Sequence, residues 1–333
     1  MHEQGLVLRL KNYYVFQHGT LDVDDECLRF KGLEDRKIPK EQIDGLHLLA
    51  GFTLTSGLLE MAAASEFPIH VYGYYGSYRG SFVPKNAPES AERLLAQLRS
   101  HDNPQSRLQI GKNILQASLR SDNHLLLSIG SPQLDAQVIE GAPTVELLRL
   151  EEARLRKEYY ALLDTKLQDY YMILSRTRRP PTNPANCLLG YWNGLTYAQT
   201  ISSLYRAGID PRIGYIHGDM RAPNPLALDL AELFKPYLSE TLLVKVAKEA
   251  PKTAWFTEVG EGTYLNDHGK KEAAKLFDRQ LSAQVKHAGL KRYMEFREAM
   301  IAEGYRLEKK LLGVSDYEPM VVECTLSSPT ICH

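Results

Sequence analysis

The stretch Thr144-Val-Glu-Leu-Leu-Arg-Leu-Glu-Glu-Ala-Arg-Leu-Arg-Lys-Glu-Tyr-Tyr160 decides how this chain is read. Val145, Leu148, Leu155 and Tyr159, with Leu162 beyond, recur at spacings built from three and four, which lays one apolar stripe along a helix expected from Thr144 to about Leu174. Glu152 falls inside that stripe. A carboxylate on a buried face loses costly hydration unless a cation or hydrogen-bond donors receive it, so the position asks for a metal or an arginine. Arg156 and Tyr159 lie one and two turns further along the same face, and a structural salt bridge would satisfy Glu152 as well as a metal would.

On the N-terminal side of this helix the chain reads as β-rich. Leu6-Val-Leu-Arg-Leu10, Tyr13-Tyr-Val-Phe16 and Cys27-Leu-Arg-Phe30 are short aromatic or branched runs, divided by turn signals at His18-Gly19 and Asp22-Val-Asp-Asp25. One helix interrupts them, capped by Thr55 or Ser56 and ended by Phe67-Pro68 before the strand Ile69-His-Val-Tyr72. Tyr74-Tyr-Gly-Ser-Tyr-Arg-Gly80 then reads as an aromatic hairpin or loop. Between Pro84 and Ser90 the pattern switches to helical periodicity. Further helices are expected over Ser90–Leu98 and Leu108–Leu119, from Pro184 to a stop at Gly208, and from Asn224-Pro225 to a limit at Pro236. The fold class expected is α+β: a β-rich domain over 1–85, a larger all-helical domain over 86–323, and a tail over 324–333.

With 333 residues, 44% of them apolar and 24% charged, the composition is that of a soluble globular protein with room for two cores. No apolar run approaches the length of a membrane span, and Met1-His-Glu-Gln4 lacks the profile of a signal peptide, so a cytoplasmic protein with no membrane partner is expected. The four cysteines include no CxxC pair, which argues against a disulfide framework or a zinc ribbon. A net charge of -1 gives no global pull toward nucleic acid. Locally the balance differs: eleven basic residues face seven acidic ones between Asp267 and Lys310, and Arg176, Arg178 and Arg179 cluster after the long helix. Such runs are solvated helix faces or phosphate-contacting surfaces.

Three segments of the helical half each offer a hard-cation ligand. They are Glu152 on its stripe, His217 after the apolar piece Ile213-Gly-Tyr-Ile216, and Asp229 with Glu232, three apart on one helix face. Two carboxylates and an imidazole suit Mg²⁺ or Mn²⁺ and leave positions for water and a phosphate oxygen, which is phosphodiester chemistry. A zinc hydrolase using His217 is the weaker alternative, since no HExxH spacing exists. A non-catalytic nucleic-acid scaffold with structural acids is the other.

Four ordered blocks carry a family resemblance: Glu152-Ala-Arg-Leu-Arg-Lys-Glu-Tyr-Tyr160, Arg178-Arg-Pro-Pro-Thr-Asn-Pro-Ala-Asn186, Gly208-Ile-Asp-Pro-Arg-Ile-Gly-Tyr-Ile-His217 and Leu226-Ala-Leu-Asp-Leu-Ala-Glu-Leu-Phe-Lys-Pro236. In order and spacing they resemble the signature blocks of CRISPR-associated protein one, the integrase and endonuclease of spacer acquisition. Tyr264-Leu-Asn-Asp-His-Gly-Lys270 and Tyr72 to Pro84 resemble further family segments, so the likeness spans roughly residues 5 to 322. The resemblance implies metal ligands at Glu152, His217 and Glu232, with Asp229 supporting. Glu151 competes in the first block, but Tyr159 and Tyr160 match the family's aromatic pair only if Glu152 is the ligand. Ala153 stands where the family usually has glycine, a small-for-small change. The resemblance further implies a Tyr197 hydroxyl near the metal, phosphate contacts by Arg178 and Arg179, and a Mg²⁺- or Mn²⁺-dependent attack of a DNA 3′ hydroxyl on a CRISPR repeat boundary. It also implies a homodimer joined through the β domains, with a prespacer duplex, the CRISPR repeat and CRISPR-associated protein two as partners.

Overall fold

A computed structural model describes residues 10–84, 90–218, 222–287 and 292–322. The chain divides into two compact units, Met1–Ala87 and Pro88–His333. No helix among the described residues is long and apolar enough to cross a membrane.

The first unit holds β1 (Lys11–Val15), β2 (Gly19–Asp24), β3 (Cys27–Lys31), β4 (Asp35–Pro39), β5 (Ile43–Leu48), β6 (Phe52–Leu54), α1 (Ser56–Ala64), β7 (Ile69–Tyr72) and β8 (Tyr78–Phe82). They form two four-stranded sheets, ordered β1-β5-β7-β8 and β4-β3-β2-β6. Leu21, Leu28, Leu46, Leu48, Leu58 and Phe67 close the core between the sheets and α1. The register sets Tyr14, His47, His70 and Ser81 side by side across the first sheet, with His47 and His70 buried. The expected strand over Leu6–Leu10 lies, apart from Leu10, outside the described residues. The expected turn at Asp22-Val-Asp-Asp25 is corrected: β2 runs through Asp24, and the chain reverses only at Asp25, whose φ is +55°. Asp22 and Asp24 are accommodated within a strand because Lys31 and Arg29 of the adjacent β3, and Lys37 of β4 beyond it, pair with them.

The second unit is mostly helical: α2 (Ala91–Asp102), α3 (Pro104–Ser128), α4 (Gln137–Glu140), α5 (Val145–Asp164), α6 (Pro184–Arg206), α7 (Pro225–Lys235), α8 (Thr241–Ala247), α9 (Asp267–Leu281) and α10 (Phe296–Leu311). Two short hairpins add to these helices, β9 (Phe256–Val259) with β10 (Gly262–Leu265) and β11 (Gln284–His287) with β12 (Arg292–Glu295). Asn103, Thr144 and Asn183 cap α3, α5 and α6 by accepting a backbone N–H three residues on. The tail 324–333 lies outside the described residues.

Several helix ends differ from expectation: α2 and α3 run past the expected Leu98 and Leu119 to Asp102 and Ser128, and α3 begins at Pro104 under its Asn103 cap. The long helix stops at Asp164 instead of reaching Leu174, since the Asp164 carboxylate accepts the N–H groups of Ile173 at 2.6 Å and Leu174 at 2.7 Å and folds the chain back. Its buried stripe consequently ends on Leu163, with Leu162 only half-buried. Pro236 does not end its helix. A proline deprives the carbonyl four residues earlier of its partner, and here that carbonyl, Glu232 O, accepts the Ser118 hydroxyl at 2.9 Å. The helix continues through a π-helical segment, Pro236–Glu240, into α8.

Candidate functional site

His217 is delivered by the segment between α6 and α7. Gly208, at φ +70°, takes the left-handed conformation that ends α6. Gly214 passes so close to α7 that a Cβ there would stand 2.9 Å from the Pro225 backbone carbon. The segment's carbonyls are held from α2 and α3: Gln97 Nε2 donates to Asp210 O at 2.8 Å, His101 Nδ1 to Gly214 O at 2.7 Å, and Arg107 Nε to Tyr215 O at 3.0 Å. Its amides are held from α7. Asp229, fully buried, accepts through Oδ2 from Tyr215 N at 2.6 Å and Ile216 N at 3.0 Å, and through Oδ1 from His217 N at 3.0 Å.

The same Oδ1 stands 2.7 Å from His217 Nδ1. A carboxylate can only accept, so the proton sits on Nδ1 and the Nε2 lone pair is left to face Glu152 Oε2 at 3.7 Å. Burial opposes charging of this imidazole, but the Asp229 hydrogen bond and the nearby carboxylates prevail and raise its pKa above the ordinary value.

Glu152 and Glu232 occupy contrasting surroundings. Burial, then the charge of Glu232, push the Glu152 carboxyl up to about 7, against the pull of His217 and Arg156. Glu232 is buried too, yet Lys235 and Arg156 hold its carboxyl well below the usual carboxylate range. Arg156 Nη2 donates to Glu232 Oε2 at 2.7 Å, and the Lys235 ammonium contacts Oε1. The other side of Arg156 meets Glu240 Oε1 at 3.3 Å and Asp122 Oδ1 at 3.4 Å. Tyr159 and Tyr160 donate their hydroxyls to Glu240 at 3.1 and 3.4 Å, and the guanidinium lies 5.4 and 5.9 Å from their ring centroids.

Of the residues singled out from the sequence, Glu152, Arg156, His217, Asp229 and Glu232 therefore converge. Glu151 faces elsewhere, 2.9 Å from Arg154 Nε. Tyr197, on α6, reaches the start of α7, its hydroxyl donating to Asn224 O at 3.4 Å. Arg178 and Arg179 are exposed on the segment between α5 and α6, apart from this network. That segment is tied by Asn186, whose side chain accepts from Thr177 N and Arg176 Nη1 and donates to Ser175 O and Ile173 O. Sequence reasoning missed Asp122, Lys235 and Glu240. Glu240 had the same signal that exposed Glu152, an acid inside the apolar run Tyr237-Leu-Ser-Glu-Thr-Leu-Leu-Val244.

In this conformation no three His, Cys, Asp or Glu side chains among the described residues form a finished metal cage, and both Glu232 oxygens are engaged by cationic side chains. The donor set is nonetheless of the hard type, two carboxylates and an imidazole nitrogen, and fits Mg²⁺ or Mn²⁺ better than a thiophilic ion. The raised Glu152 carboxyl also marks a place where a further positive charge would be stabilising.

Comparison with known proteins gives concordant matches. The family model for CRISPR associated protein Cas1 matches residues 13–279. A curated relative from Clostridium perfringens, named CRISPR-associated endonuclease Cas1, is 29% identical over 328 residues, covering 93% of this chain and 98% of the relative. A solved structure of a CAS1 protein from Thermotoga maritima superposes with a TM-score of 0.83 at 30% identity, over 91% of this chain and 97% of that one. A casposase bound to integration product gives the same TM-score at 16% identity over 97% of this chain and 95% of its own, a likeness of fold.

Proposed function

Because this chain belongs to the Cas1 family of CRISPR-associated proteins, we propose that it is a metal-dependent DNA endonuclease and integrase of CRISPR adaptation. In this reading it joins new spacer DNA to the leader-repeat junction by transesterification from a 3′ hydroxyl, and water in place of that hydroxyl gives cleavage. The observation that carries the reading is the pairing of His217 with Asp229: Nδ1 is committed to a buried carboxylate at 2.7 Å, which turns the Nε2 lone pair toward Glu152. A histidine buttressed by a carboxylate through its second nitrogen is the usual arrangement of a metal-ligating imidazole.

Glu152, His217 and Glu232 would hold the cation, Mg²⁺ or Mn²⁺, which when bound supplies charge to polarise the scissile phosphodiester. Asp229 fixes the imidazole tautomer and the loop behind it. Arg156 and Lys235 balance the charge of Glu232. Arg178 and Arg179, exposed and outside any helix, would contact DNA phosphates. A DNA fragment has two ends, each needing a site, so a homodimer paired through the first unit suits the task. CRISPR-associated protein two, the prespacer duplex and the CRISPR repeat complete the assembly, in the cytoplasm.

DNA cleavage titrated with Mg²⁺, Mn²⁺ and Zn²⁺ tests this. Cleavage is expected with Mg²⁺ or Mn²⁺, lost in Glu152→Ala and kept in Glu151→Ala. DNA binding without cleavage under all three metals would leave the scaffold reading, and cleavage with Zn²⁺ alone would favour a zinc hydrolase.

A further inference from the structure

Glu240 reaches Arg156 only because the helix widens after Glu232. Eight residues along a regular α-helix make about 2.2 turns, which would set Glu240 roughly 80° away from Glu232 around the axis. A π turn holds about one residue more than an α turn, so one of each spans about eight residues. The segment Pro236–Glu240 therefore brings Glu240 back onto the face of Glu232, two turns on. Both carboxylates then meet one guanidinium, at 2.7 Å for Glu232 and 3.3 Å for Glu240, with Asp122 of α3 adding a third at 3.4 Å. Glu240 is fully buried and Asp122 nearly so. Two tyrosine hydroxyls fix Glu240 in turn, buried Tyr159 and half-buried Tyr160. A buried acid so placed costs desolvation that a neutral side chain of the same shape would avoid.

We propose that Glu240, with Asp122, is a positioning residue for metal ligation: the two acids share the charge of Arg156 so that Glu232 can be drawn from Arg156 to the cation. The proposal rests on the reading of Glu152, His217 and Glu232 as metal ligands. Arg156 and the cation compete for Glu232 Oε2, and the guanidinium can give ground only if other anions hold it. With Glu240 neutralised, Glu232 carries more of the charge balance of Arg156 and yields less readily.

Binding of Mn²⁺ to the whole protein, with free Mn²⁺ read by electron paramagnetic resonance, tests the idea without recourse to activity. Glu240→Gln keeps the shape: its oxygen can face Tyr160 and Arg156 while its NH₂ donates to a Tyr159 hydroxyl turned to accept, and it is expected to weaken Mn²⁺ binding about tenfold, the scale typical of residues that act behind metal ligands. Its melting temperature without metal should stay at or above that of the wild type, which a purely structural role would lower. Glu240→Asp, retaining charge, should recover most of the affinity. Wild-type Mn²⁺ affinity in Glu240→Gln, with or without a fall in melting temperature, would overturn the proposal. Should that variant not fold, Asp122→Asn carries the test, with weakened binding expected and unchanged binding overturning it. A wild-type protein showing no Mn²⁺ binding dependent on Glu152 would overturn the reading of the site itself, and this inference with it.

Discussion

Asp229→Asn separates the two duties of one carboxylate. In the native protein Oδ2 accepts two backbone amides, and Oδ1 accepts one amide together with the imidazole Nδ1–H. An asparagine must put an NH₂ group at one of the two places. Placed at Oδ2 it would face two donors, so it settles at Oδ1, where it faces only the His217 amide. There the imidazole can adapt by moving its proton to Nε2 and accepting at Nδ1. The stability loss is then chiefly one charge-assisted hydrogen bond, about 1.5–3 kcal/mol. For a unit of this size that is roughly 3–12 °C in melting temperature. The functional loss is larger, because an Nε2 carrying a proton has no lone pair for a cation. Mn²⁺ binding should fall at least as far as the 10–100-fold typical of a lost supporting contact, and cleavage should fall toward the level of His217→Ala. Nitrogen-15 shifts of the His217 ring report the tautomer directly. Wild-type Mn²⁺ affinity with the proton still on Nδ1 would refute the reasoning.

Three further outcomes follow from the same structure. Ser118→Ala removes the hydroxyl that donates to the Glu232 carbonyl, which Pro236 deprives of its α-helical partner; a loss of about 1–3 kcal/mol in denaturant unfolding is expected, and none would mean that water replaces the hydroxyl. Replacing Arg178 and Arg179 together by alanine should lower the slope of log DNA affinity against log salt by up to about two, equally for unrelated sequences; an unchanged slope would show that these side chains do not meet phosphates. Burial, partly offset by Arg306 and the Met320 amide, raises the Glu303 carboxyl above its ordinary pKa. A raised carboxyl favours the fold fully below the unfolded pKa near 4.3 and loses that contribution as pH rises through the folded value. Glu303→Gln should therefore gain stability over the wild type at neutral pH and match it near pH 4, and a gain of equal size at both would disprove the titration.

The centre of the site was legible because one rule sufficed: an acid on an apolar stripe needs a partner, and Glu152 has His217 and Arg156 near it. Asp229 and Glu232 were legible by their spacing of three. Their division of labour was not, since only the folded loop shows which of them holds the amides. Glu240 stayed hidden because a helix expected to stop at Pro236 could not carry it, and because its face depends on a π turn that no periodicity announces. Asp122 stayed hidden because the helix expected to end at Leu119 did not include it, whereas α3 runs on to Ser128. Strand β4, Asp35-Arg-Lys-Ile-Pro39, begins with three charged residues and shows no apolar alternation, and its pairing with β3 is supported by the ion pair of Asp35 with Arg29. The early end of α5 belongs to the same class, a local hydrogen bond overriding a helical pattern.

The clamping of the segment after α5 bears on the entropy of DNA binding. Asp164 closes its beginning, and Asn186, on four backbone and side-chain partners, closes its end. Fixing one backbone residue costs about 1–2 kcal/mol, and for this stretch much of that cost is met when the protein folds. If Arg178 and Arg179 contact phosphates as proposed, they do so from a preorganised support, so that association need order little beyond the side chains themselves. Loosening the support, by Asn186→Ala for instance, would leave both charges in place and the salt slope unchanged, yet make every duplex bind more weakly and with a less favourable entropy.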